Sequence, residues 1–180
     1  VNALTRVARV IDSFNQVLGM SVAWLAMMMV LVQFSVVVLR YIFGYGSIFM
    51  QESILYLHGF VFMLGASYAL LHDGHVRVDI FYREASPKTK AKIDIFGVLF
   101  FLLPVCTALF IYVLPYVQAS WANLEGSNET SGIPARFILK TTIPIFCVLM
   151  GLQGISMIIH SLNVLAGREA PKAGEEHEGI

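Results

Sequence analysis

Apolar residues run along this chain in four long stretches, broken by short polar and charged clusters. A bilayer core of about 30 Å takes roughly 20 helical residues, and a helix satisfies its own backbone groups where lipid cannot. Residues 17–39, 54–71, 93–116 and 142–165 have that length and character. The pattern predicts an all-α, integral membrane four-helix protein whose membrane domain covers residues 17–166. Ahead of it, Leu4, Val7, Ile11, Phe14 and Leu18 recur at helical spacing, with Arg6, Arg9, Asp12 and Asn15 between them. Residues 1–16 therefore read as an N-terminal amphipathic interfacial helix or, with equal weight, as an extension of the first span. The polar, Glu-rich residues 167–180 read as a disordered cytoplasmic tail.

Composition agrees with lipid cover, since 57% of residues are hydrophobic and only 13% charged. The formal net charge is zero and gives no basic surface for nucleic acid. Basic residues are retained on the cytoplasmic side of a membrane, and their distribution sets an orientation. With both ends inside, Arg6, Arg9, Arg77, Arg83, Lys88, Lys90, Lys92, Arg168 and Lys172 are cytoplasmic, while Arg40, Arg136 and Lys140 are outside. The excess predicts N-in/C-in. Tyr41, Tyr45, Tyr56, Tyr116 and Trp121 then gather at the outer ends of the spans, with Trp24 and Tyr82 on the inner side, as aromatic belts require. The basic residues before the first span raise the possibility of a signal peptide, but that apolar stretch is too long and lacks a small-residue cleavage pattern, so it is expected to stay attached.

Little in the chain points to chemistry. No nucleophile elbow, phosphate-binding glycine loop or catalytic carboxylate pair is present. Cys106 and Cys147 sit in apolar runs without metal-ligand spacing and read as inert thiols. The run from His72 to Asp79 alternates histidines and carboxylates, but a Gly-containing turn at a membrane surface is polar for its own reasons. The second span carries His58 and the fourth His160. They read as hydrogen-bonded packing residues or, alternatively, as haem ligands in a haem-binding membrane anchor of a respiratory dehydrogenase, although their places in their spans put them at different depths. Arg40 and Glu52 flank the first outer turn and are candidates for an ion pair. Ser86 with Pro87 reads as an N-cap and first helical position. Gly65 with Ala69, and Gly151 with Gly154, mark places where helices approach closely, and Pro104 and Pro144 mark places where a helix departs from regularity. A self-assembling channel would need a polar stripe, for which Gln33, Ser35, Thr107, Gln153 and Ser156 are the available residues. No internal repeat of the kind that builds carriers is evident.

Arg40-Tyr41-Ile42-Phe43 closing the first span, Glu52 opening the second, Gly65-Ala66 within it and His75-Val76-Arg77-Val78-Asp79 after it resemble the small membrane subunit of tripartite ATP-independent periplasmic (TRAP) transporters. The resemblance covers nearly the whole chain. Phe49, Met50 and Gln51 depart from the tryptophan and second acidic residue that precede the glutamate in many relatives. It implies a multi-pass protein of the bacterial cytoplasmic (inner) membrane, not an enzyme and without a cofactor. Its expected partners are a large multi-span membrane subunit, a periplasmic substrate-binding protein and membrane lipids. The implied role is to scaffold the large subunit during sodium-gradient-driven uptake of organic acids. Arg40, Tyr41, Glu52, Gly65, His75 and Asp79 are the implied motif or assembly residues.

Overall fold

The computed structural model describes residues 3–75 and 85–168. The expectations resting on Arg77, Val78, Asp79, Tyr82, Arg83 and Lys172, and the polar tail beyond residue 168, lie outside the described residues. Four helices within them are long and apolar enough to cross a membrane: α1 (Ala3–Phe43), α2 (Ile48–Leu71), α3 (Pro87–Ala122) and α4 (Arg136–Leu165). They run up and down in turn. One end of the bundle carries the α1–α2 turn and the α3–α4 connection (the turn end), and the other carries both described chain ends (the tail end).

Local chemistry explains where each helix starts and stops. Gly44, at φ +64°, takes a left-handed conformation that ends α1, and the Tyr45 N–H donates back to the Leu39 carbonyl at 3.0 Å. Ser47 caps α2 by accepting from the Met50 N–H; Ser86, the cap that the sequence predicts, opens α3 by accepting from the Thr89 N–H with Pro87 at the first helical position. Gly167, at φ +69°, closes α4, where the Arg168 N–H donates to the Asn163 carbonyl at 2.9 Å. Within α3, residues Val98–Leu102 form a π-helical turn that runs directly into Pro104. Proline has no N–H and its ring crowds the carbonyl four residues back, so one wider turn relieves both problems.

The α1 helix is longer than the span expected for it. Residues 3–16 continue without a break into residues 17–43, giving 41 residues and a rod of about 60 Å. The physical reason lies in what this first part touches. Its polar residues meet polar residues of α4, while Leu4, Val7, Val10 and Phe14 point outward. The helix at the centre is α4: 44% of its most apolar stretch is buried, against 6%, 6% and 11% for α1, α2 and α3. It packs against all three other helices. Close approach is permitted by glycines. A side chain at Gly19 would collide with the Tyr68 ring, and one at Gly154 would come within 2.8 Å of Leu102 and 2.9 Å of Val98. Cys106, Cys147 and Met150 form the buried apolar core between α3 and α4, with Leu102, Phe110 and Phe146 around them. Large apolar side chains such as Trp24, Phe34, Phe62, Phe101 and Ile111 remain exposed, a surface that water does not tolerate and lipid does.

Candidate functional site

Polar side chains inside the bundle collect in two places, one toward each end. Toward the tail end, α1 carries Thr5, Ala8, Asp12, Asn15, Gly19 and Val22, separated by alternating steps of three and four residues. That spacing holds one line of side chains toward a partner helix. Asn15, 1% exposed, donates through Nδ2 to Gln153 Oε1 at 2.7 Å and accepts from Ser67 Oγ at 2.9 Å, so that α1, α4 and α2 meet at one amide. Gln153 Nε2 in turn donates to Asp12 Oδ1 at 3.0 Å. The same Asp12 oxygen accepts from Ser156 Oγ at 2.6 Å, and Asp12 Oδ2 lies 2.9 Å from His160 Nε2. Asn163 donates to Thr5 Oγ1 at 3.1 Å, and His72 Nε2 stands 2.6 Å from Gln16 Oε1. Burying these groups in lipid is tolerable because each has its partner, and among the described residues no buried side-chain nitrogen or oxygen lacks one.

The second cluster organises the connection between α3 and α4. Glu52, just past the first turn of α2, accepts from Ser127 Oγ and, at 2.6 Å, from the Ile133 N–H. One carboxylate therefore clamps both limbs of a loop more than seventy residues away in sequence. Gly132 sits inside that clamp, where a Cβ would strike Ser127 and come within 2.6 Å of Glu52 Oε2. Glu125 accepts from Ser120 Oγ at 2.7 Å and pairs with Lys140, whose ammonium stands 4.0 Å from the centre of the Tyr116 ring. The Lys140 ammonium, with the Ser120 hydroxyl, holds the Glu125 carboxyl below its ordinary range. Trp121 Nε1 donates to Thr141 Oγ1 at 2.8 Å. The loop is thus tied to α2, α3 and α4 at once.

The expected motif residues are spread over the molecule. Arg40 and Tyr41 stand exposed at the end of α1. The expected Arg40–Glu52 ion pair is not formed among the described residues, because the Glu52 oxygens are occupied by Ser127 and Ile133. Gly65 faces Val22 of α1, where a Cβ would make ordinary contact at 3.7 Å. His75 Nε2 lies 3.3 Å from the Ala66 carbonyl oxygen. Asp79 lies outside the described residues. Thr5, Asp12, Asn15, Ser67 and Ser156 were not singled out from sequence as site residues, although the three-and-four spacing on α1 was available as a signal.

A haem pair is not assembled. His160 is engaged with Asp12, and the antiparallel match of Gly19 with Tyr68 and Val22 with Gly65 places His58 about 25 Å away along the bundle. Among the described residues no cluster of three His, Cys, Asp or Glu side chains has metal-binding geometry. An apolar hollow of about 220 Å³ between α3 and α4 is lined by Phe110, Pro144, Ile145, Val148 and Leu149 and offers a ligand no polar group.

No curated protein and no solved structure matches the chain. Residues 28–164 match the family described as tripartite ATP-independent periplasmic transporters, DctQ component. That match takes in the last 16 residues of α1, all of α2 and α3, and all but the last residue of α4. With four membrane-length helices among the described residues and a family match over residues 28–164, the chain belongs to the DctQ family, the small permease component of TRAP transporters.

Proposed function

We propose that this chain lies N-in/C-in in a bacterial inner membrane and scaffolds the large membrane subunit of a TRAP transporter. The large subunit carries an organic acid, a dicarboxylate or keto acid, inward on a sodium gradient after a periplasmic binding protein delivers it. In this orientation the turn end is periplasmic, and the loop clamped by Glu52 and Glu125 presents a fixed surface to the binding protein. The observation that carries the scaffolding role is the closure of the polar groups. Carriers keep polar groups and broken backbone at mid-membrane for substrate and ion. Here Asn15, Ser67, Gln153 and Ser156 are buried and consumed in tying α1, α2 and α4 together.

The test is uptake of a labelled dicarboxylate or keto acid into proteoliposomes holding the large subunit, the binding protein and an inward sodium gradient. Uptake is expected only when this chain is included and only while the sodium gradient stands. Uptake by this chain alone, or unchanged uptake without it, would sink the proposal.

A further inference from the structure

The line of residues on α1 that meets α2 and α4 does not stop where its cover stops. The same alternation of three- and four-residue steps continues through Ala26, Met29, Gln33, Val36 and Arg40. Gln33 and Arg40 are exposed, and neither makes a side-chain hydrogen bond or ion pair among the described residues. On α2, Gln51, His58, Gly65 and His72 stand seven residues apart and so share one stripe. In the pair nearer the tail end, His72 has Gln16 as a bonded partner and Gly65 meets Val22, while His58 and Gln51 are exposed without a side-chain hydrogen bond among the described residues. Continuing the antiparallel match toward the turn puts His58 level with Met29 and Gln51 level with Val36. Four polar residues thus occupy the half of a seam nearer the turn without the hydrogen-bonding partners that the polar residues of the other half have.

Lipid tails are a poor cover for it, because an amide and an imidazole left in hydrocarbon lose their hydrogen bonds to water and gain none. Headgroups reach Arg40 but not Gln33, about 10 Å deeper along the helix. A second copy related by an axis along the membrane normal would bring two Arg40 side chains to the same depth, where they repel. We infer that the half of the α1–α2 hairpin nearest its turn seats a transmembrane helix of the large subunit, one with hydrogen-bonding side chains level with Gln33 and His58 and a carboxylate level with Arg40. The inference rests on the subunit role proposed above.

The test places a photo-reactive amino acid at Gln33, at His58 or at the exposed Tyr112 of α3, in cells making the whole transporter with a tagged large subunit. Adducts with the large subunit are expected at positions 33 and 58 at about ten times the yield at 112. In parallel, the pair Gln33→Leu and Arg40→Leu is expected to reduce recovery of the large subunit about tenfold, the loss of a few membrane hydrogen bonds. The separately purified variant should melt no lower than the unaltered chain, because leucine suits lipid better than glutamine. Adducts with a second copy or with lipid alone, equal yields at all three positions, or unchanged recovery of the large subunit by the double variant would each overturn the inference while leaving the subunit role standing. If the unaltered chain recovers no large subunit, the subunit role fails and the inference falls with it.

Discussion

Replacing Asn15 by alanine isolates the junction on which the bundle depends. The substitution deletes the donor to Gln153, at 2.7 Å, and the acceptor for Ser67, at 2.9 Å, at a site 1% exposed. Hydrogen bonds between membrane helices average about 0.6 and reach about 1.7 kcal/mol, so losing two removes about 1–3 kcal/mol. The remaining partners do not close the gap: Gln153 keeps its bond to Asp12, but its Oε1 is left bare. Unfolding free energies in mixed micelles, measured for Asn15→Ala, Gln153→Ala and the double variant, should give a coupling of about 0.5–1.5 kcal/mol. Ser13→Ala, exposed on the neighbouring turn, should stay within about 0.5 kcal/mol of the unaltered chain. If Asn15→Ala were equally silent and the cycle showed no coupling, residues 3–16 would not be held against α4, and the account of α1 as one docked rod would be wrong.

Two further predictions concern the connection between α3 and α4. Gly132→Ala should loosen it by about 1–3 kcal/mol, because the new methyl group meets both Ser127 and Glu52, and limited proteolysis between residues 126 and 134 should become faster while the helices resist. Acid should release the same loop through Glu125. Its carboxyl titrates below its ordinary value near 4.5 when folded, so the ordering it contributes is complete above that value and is lost as pH falls through the lower, folded one. Trp121 fluorescence should report the change at that low pH, and Lys140→Met, which removes the main cause of the depression, should move the midpoint upward. A midpoint unmoved by Lys140→Met would refute the assignment to this pair.

The hydropathy of the chain located all four membrane helices, and each expected span falls within one of them. The helices overrun those spans at several ends, since a helix satisfies its backbone in water as well as in lipid and need not stop where apolar residues do. Ser86 and Pro87 were legible because capping is local. The clamp by Glu52 was not, because its partners are 75 and 81 residues away and one of them is a backbone N–H that any residue supplies. A charge pair with Arg40 was the natural local expectation, and a non-local loop displaced it. Residues 3–16 show the subtler limit. Their apolar spacing drew attention to Leu4, Val7 and Phe14, which are exposed, whereas polar residues between them carry the contacts with α4.

The partners of the α1 junction are made in an order that has a consequence for synthesis. Asp12 and Asn15 are synthesised before Gln153, Ser156 and His160, which follow some 140 residues later. At the 5–20 residues per second typical of translation, that interval is on the order of ten seconds. Throughout it, Asp12 lacks Gln153, Ser156 and His160, and the Asn15 amide has Ser67 of α2 but not Gln153. A nascent chain lacking α4 therefore advertises its own incompleteness to any quality-control factor that senses polar groups in lipid, and the arrival of Gln153 is the step that silences the signal.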